Sequence, residues 1–146
     1  MENEVTYELK SPFEYAVKGD VQEAAFITLS APNYKQMDRF IPIKQAFTSA
    51  VTEISESAVA KTAVGDAPED HEMTSKAVMQ VMYAWSGDMV GVLLHAEQLF
   101  KSGAALVDGE TKLTSDLMAK MALSDFEFMV GDYIAAFIAR SLLDGQ

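Results

Sequence analysis

The spacing of apolar residues changes once along this chain, at Pro32, and that change decides which class of fold it can adopt. Before it, Val5, Tyr7 and Leu9 alternate with Thr6, Glu8 and Lys10, the period-2 pattern of a strand with one buried face. Ser11-Pro12 interrupts the run, after which Phe13, Tyr15 and Val17 alternate with Glu14, Ala16 and Lys18. Lys18-Gly19-Asp20 is a turn candidate, because Gly accepts positive φ without steric cost. A third strand is expected from Val21 to Leu29, with Ala25, Ile27 and Leu29 on one side and Phe26 on the other. These segments make a small antiparallel hairpin or meander over residues 1–31.

Beyond Pro32 the period becomes helical. Asn33 and Gln36 form a capping-box pair, which opens a short helix from Tyr34 to Ile41. Pro42, lacking a backbone donor, either kinks the chain or starts a second helix in which Ile43, Phe47, Val51, Ile54 and Ala58 share a face. Gly65 to Asp70 is a loop and the best internal boundary. After it, Val78, Met82, Trp85, Met89, Val92, Ala96, Leu99 and Phe100 keep a 3/4 spacing, while Met79, Tyr83, Val90 and Leu94 lie on another side. A helix pair this apolar around its circumference is either central or covered by a partner, and a break is expected at Ser86-Gly87. Ser102 to Gly109 is expected to be a loop, and Thr114 to cap a short helix through Met121. Ser124 with Glu127 is a capping box for the last helix, whose stripe is Phe126, Met129, Val130, Tyr133, Ile134, Phe137 and Ile138. The expected architecture is α+β within a single domain, 1–146: a β-hairpin element over 1–31, then a mainly helical bundle over 33–143. The second and last helices should pack around the Met/Trp helix.

A chain of 146 residues with 49% hydrophobic and 23% charged residues has the balance of an ordinary globular domain rather than a disordered one. Zero cysteines rule out disulfides, thiolate metal sites and a cysteine nucleophile, and fit a reducing compartment. Met1-Glu2-Asn3-Glu4 is acidic where an export signal would be basic, and the most apolar stretch, Met89 to Leu94, is far short of the ~20 residues of a membrane span. No membrane association is therefore expected. A net charge of −11 with scattered lysines argues against a nucleic-acid partner, which needs clustered Lys and Arg.

Catalytic signatures are missing. The densest acidic cluster, Asp66, Glu69, Asp70, His71 and Glu72, lacks a second nearby His and the alternating ligand order of a calcium loop. It is better explained as a solvated loop with carboxylates near a helix start. His95 is the only other histidine, and a lone His on an apolar helix is usually packed or at the surface. There is no glycine-rich phosphate loop and no G-x-S-x-G elbow. No enzyme activity, catalytic residue, metal or cofactor is expected. Nine methionines stand out instead, four of them (Met73, Met79, Met82 and Met89) around Tyr83 and Trp85. Ordinary core packing accounts for most such residues, but adaptable Met side chains also suit a partner groove. The candidate partner surface is Met79, Met82, Tyr83, Trp85, Met89, Val90 and Leu94. The apolar middle helices also leave room for homo-oligomerisation.

The run Tyr7-Glu8-Leu9-Lys10-Ser11-Pro12-Phe13-Glu14-Tyr15, a Gly-containing turn, and then Phe26-Ile27-Thr28-Leu29-Ser30-Ala31-Pro32 resembles the start of tail assembly chaperones of long-tailed bacteriophages. Leu123-Ser124-Asp125-Phe126 and a helix finishing Ala136-Phe137-Ile138 are similar to that family's closing segment. The hairpin between Tyr15 and Phe26 is longer than the family's usual form, and the stretch from Pro42 to Asp108 carries no part of the likeness. The resemblance implies a protein that binds the long helical tape measure protein, keeps it soluble, and hands it to the tail tube protein. It implies action in the host cytoplasm and absence from the mature virion. Two other classes compete. A structural tail connector or terminator subunit would remain in the particle. An acidic inhibitor mimicking DNA would need its 22 carboxylates aligned on one face, whereas this sequence spreads them over strands and helices.

Overall fold

The alternation in the first segment produces β1 (Glu4–Glu8), which pairs antiparallel with β4 (Phe26–Ser30) so that Val5 faces Leu29 and Tyr7 faces Ile27. The structure, a computed structural model, describes residues 3–54, 57–63 and 71–140, of residues 71–73 the backbone alone. Between these strands, β2 (Glu14–Val17) and β3 (Asp20–Glu23) form a separate hairpin. Its two-residue turn has positive φ at both Lys18 (52°) and Gly19 (88°), the twist that lets two strands close tightly. The single strand expected from Val21 to Leu29 is therefore two strands in two sheets. The chain changes partner at Ala24-Ala25: Ala24 N donates to Phe13 O at 2.8 Å, and Leu9 N donates to Ala25 O at 3.0 Å. Ala24 is buried and Ala25 exposed, so Ala25 does not share the inner face of Ile27 and Leu29.

A 3-10 turn (Tyr34–Gln36) leads into α1 (Met37–Glu53), with Gln36 Oε1 accepting from Asn33 N at 2.9 Å. Pro42 lies inside α1 and divides nothing. The bond it forfeits falls in the second turn, and the burial of Ile43, Phe47 and Ala50 further along holds the helix together across it. Ala58 belongs to the next helix, α2 (Ala58–Ala63). The expected loop Gly65–Asp70 lies outside the described residues. Then α3 (His71–Trp85) and α4 (Met89–Leu99) are separated at Gly87, whose φ of 80° ends the first of them.

The expected loop Ser102–Gly109 is different in kind. A π-helical turn (Phe100–Ala104) extends α4, and β5 (Ala105–Val107) follows, pairing with β4 on one side and with β6 (Thr111–Lys112) on the other. Strands this short carry no period of their own: pairing with β4 sets the conformation of β5, and pairing with β5 that of β6. The sheet order β1-β4-β5-β6 brings residues 4–8 and 26–30 into one sheet with residues 105–107 and 111–112. The hairpin element and the helical part thus share a sheet, and the α+β class stands.

Thr114 caps α5 (Ser115–Met118), which ends three residues before Met121. The last helix, α6 (Leu123–Ile134), starts before the expected cap, so Ser124 lies in its first turn; a second π-helical turn (Ala135–Ala139) follows. Helices α1 and α6 pack on α3, and α4 packs on α1. At Gly131 a Cβ would lie 2.8 Å from Met79 Cγ and 3.1 Å from Ser75 O, so only Gly permits this approach of α6 to α3. Tyr133 packs edge-on against Phe100 of the neighbouring helix at 5.6 Å, and against Phe137 one turn further along its own helix at 4.8 Å. Burial pushes the Tyr133 hydroxyl well above the usual phenol range.

Two carboxylates pin these layers. Asp125, fully buried in the first turn of α6, accepts from Tyr7 Oη at 2.6 Å and from the backbone N–H of Lys10 and Ser11, both at 3.0 Å. Burial, and then the bond to Asp125, raise the Tyr7 pKa far above its ordinary value, so Tyr7 remains a donor. Asp108, at φ 52° in the β5–β6 turn, accepts from Tyr15 Oη at 2.6 Å and from Ala25 N at 2.9 Å, which fastens the β2–β3 hairpin. Desolvation, followed by that hydrogen bond, pushes Tyr15 up to about 12. Desolvation alone would raise Asp108 as well, but the donors from Tyr15, Ala25 and Phe26 outweigh it and hold its carboxyl below the ordinary value.

Replacing Asp125 by Ala strands three donors, and urea titration should show a loss of about 3 kcal/mol, against about 1 kcal/mol for Tyr7→Phe. The Asp108 contribution has the sign of a depressed carboxylate. It is complete above the unfolded value near 3.8 and disappears as the pH falls through the lower folded value. Urea midpoints measured from about pH 6 down to about pH 2 should therefore fall more steeply for the native chain than for Asp108→Asn.

Candidate functional site

α4 is apolar on more than its inner face. Asp88 caps it, its carboxylate accepting from Gly91 N at 3.0 Å, and a Cβ at Gly91 would collide with that carboxylate. Val92, Ala96 and Leu99 then point into the core, while Val90 and Leu94, one turn apart, stand 69% and 57% exposed. Opposite them, Met118 of α5 and Leu123 and Phe126 of α6 complete a groove of about 410 Å³, with Leu93 half-buried on the α4 side. Leu123 is 69% exposed. Glu97 is the one ionisable side chain in the lining.

The walls are held in place. Thr114 Oγ1 accepts from Leu117 N at 3.3 Å, which fixes the start of α5. Lys120 Nζ donates to Glu14 O at 2.9 Å, tying the α5–α6 link to the hairpin and keeping that ammonium occupied there. Phe126 packs edge-on against Phe100 at 6.0 Å, so the groove wall is continuous with the core. The volume falls within the roughly 300–1,000 Å³ of ordinary ligand pockets.

A second cavity of about 150 Å³ lies between β1, α3 and α6, lined by Tyr7, Lys10, Ser75, Lys76, Phe128 and Asp132 among others. Ser75 Oγ donates to Asp132 Oδ1 at 2.5 Å within it, a buried link between α3 and α6. Among the described residues, its lining holds no histidine that could act as a base toward Ser75. Among the described residues no group of three His, Asp or Glu is arranged to hold a metal ion. His95 is half-buried on α4, and its Nδ1 has no hydrogen-bond partner among the described residues. Of the acidic cluster, Asp66, Glu69 and Asp70 lie outside the described residues, as do the side chains of His71 and Glu72.

The expected partner residues separate into three groups. Met79 and Met82 are 6% and 0% exposed; they are core, because the α3 face that carries them packs against α1 and α6. Tyr83 and Trp85 are about half exposed at the end of α3 but do not line the groove, and Met89 is half-buried. Only Val90 and Leu94 lie in it. The methionine argument transfers poorly, since Met118 is the sole Met in the lining. Sequence reasoning missed Leu93, Met118 and Leu123, and placed Phe126 only in the core stripe. The available signal was α5 itself: a capped helix of four residues with adjacent apolar Leu117 and Met118 is too short to bury both. No family model matches this chain, and neither a curated protein nor a solved structure does. No helix of the described residues is long and apolar enough to cross a membrane.

Because the groove residues contribute little to the core, Leu94→Asp and Leu123→Asp should each shift unfolding free energy by no more than about 0.5 kcal/mol. Met82→Ala should lose about 3 kcal/mol. Parallel urea titrations check both. A large loss at Leu94 or Leu123 would mean that these side chains belong to the core.

Proposed function

We propose that this chain is a bacteriophage tail assembly chaperone, a non-enzymatic protein that binds the tape measure protein in the host cytoplasm. It keeps that client soluble until the tail tube protein polymerises around it, and is left out of the mature virion. One observation carries the reading: three large aliphatic side chains, Val90, Leu94 and Leu123, stand more than half exposed along a single groove whose walls are fixed. An apolar patch lining a groove on a folded chain suits a contact surface. A net charge of −11 supports the same reading, because it keeps a chain with such a surface dispersed. The β-hairpin element and its exit through Pro32 into a helix agree with the segments that carry the family resemblance.

A DNA-mimic reading draws little support. Asp125 and Asp132 are buried, and Asp108 is engaged by Tyr15 and Ala25, so these three carboxylates are not displayed as phosphate surrogates.

Co-expression with the tape measure protein of the same phage should move that protein from the insoluble to the soluble fraction, and purified virions should lack this chain. An unchanged soluble fraction would sink the chaperone reading, and recovery of the chain from particles would favour a structural subunit.

A further inference from the structure

We infer that the α4–α5–α6 groove is a helix-docking site whose occupant is a basic amphipathic helix, with apolar side chains along one face and Lys or Arg flanking them. The inference rests on the client-binding reading and deepens it by assigning the site and the chemistry of the segment that enters.

Three observations lead to this occupant. Every lining residue belongs to α4, to α5 and the residue that ends it, or to α6, so no unpaired strand edge offers backbone hydrogen bonds. An entering segment must satisfy its own backbone, which a helix does and an extended peptide does not. The wall from Val90 to Glu97 covers eight residues of α4, whose seven helical steps span about 10 Å or two turns. That length matches apolar anchors at i, i+4 and i+7 of a partner helix.

Charge selects the rest. Glu97 lies in the lining, while Asp116 and Glu127 directly follow the lining residues Ser115 and Phe126. None of the three forms an ion pair with a described residue. Lys120, which directly follows the lining residue Ala119, has its ammonium on Glu14 O of the hairpin. Glu97 among apolar lining residues, on a chain of net charge −11, attracts a helix edged with Lys or Arg and speeds its encounter. A second copy of this chain fits badly, because a two-fold contact would bring Glu97 and the same net negative charge to both sides of the interface. An anionic membrane surface is repelled by the same charges.

The test titrates the intact protein, by calorimetry, with three synthetic peptides of about 14 residues. One carries Leu at i, i+4 and i+7 with Lys on the flanks, one has the same composition scrambled, and one has Glu in place of Lys. The ordered Lys peptide should bind at least about tenfold more tightly than either control. Leu94→Asp and Leu123→Asp should each weaken it by about tenfold or more, and Glu97→Lys, a surface change that leaves the floor intact, by several-fold. Equal binding of the scrambled peptide, equal binding of the Glu peptide, or indifference to the groove variants overturns the inference. A concentration-dependent dimer that Leu94→Asp dissociates overturns it in favour of self-association. The two readings fail separately. If the Leu94→Asp/Leu123→Asp double variant still keeps the tape measure protein soluble, the groove assignment falls and the chaperone reading stands. If the ordered peptide binds as expected but the tape measure protein stays insoluble, the groove stands and the chaperone reading falls.

Discussion

A carboxyl group with no access to solvent must have hydrogen-bond donors around it, and Asp125 meets that condition only when the two ends of the chain are brought together. Its three donors lie more than a hundred positions away in sequence, in Tyr7, Lys10 and Ser11. Separating them would leave a buried carboxyl group without partners, a loss of about 3 kcal/mol that a domain of this size tolerates poorly. The bond therefore sets the angle between the first strand and α6. It also orients the groove, because the same helical turn that sends Asp125 inward sends Leu123 and Phe126 outward to line it. The fold and the candidate site share one hinge of helix.

Asp108 repeats this arrangement on a smaller scale at the same end of the strands, across β4 from β1. By receiving the backbone N–H groups where the chain leaves β3 for β4, it stabilises the change of partner that splits one expected strand into two. The hairpin so anchored holds Lys120 through the carbonyl of Glu14. The chain from turn to hairpin to α5–α6 link is continuous, and it fixes where the Lys120 ammonium sits. In a protein with 11 basic residues against 22 acidic ones, where the few cations are held matters as much as where the anions are.

The parts legible in the sequence were those governed by local rules. Alternation placed Tyr7, Tyr15, Ile27 and Leu29 on buried faces, Lys18-Gly19 made its turn, Gly87 ended α3, Thr114 capped α5, and the stripe of α6 was buried nearly as expected. The illegible parts depend on distant partners. β5 is three residues long and extended because β4 lies beside it. Ser124 and Glu127 have the spacing of a cap, yet the helix begins ahead of them at Leu123. Met79 and Met82 looked available because an apolar helix seen alone does not say which neighbours cover it, and α1 and α6 cover that side. For the candidate surface, sequence reasoning found one wall, Val90 and Leu94, and missed the other, since α5 and α6 face α4 only through tertiary packing.

The groove is not an incompletely buried core. Turning α4 to hide Val90 and Leu94 would pull Val92, Ala96 and Leu99 out of the interior, and each large aliphatic side chain lost there costs about 1.5–3 kcal/mol. The helix is held in its present rotation by its inner face, so the outer face must meet water or a partner. Nothing in the monomer requires that face to be apolar: polar side chains at the positions of Val90, Leu94 and Leu123 would leave the core as it is. Single exposed aliphatics are ordinary on any surface, but three that line one groove between fixed walls form a patch. On the proposed reading, the physical use for their apolar character lies in a helix that closes over them, and Glu97 in the lining favours a partner of opposite charge.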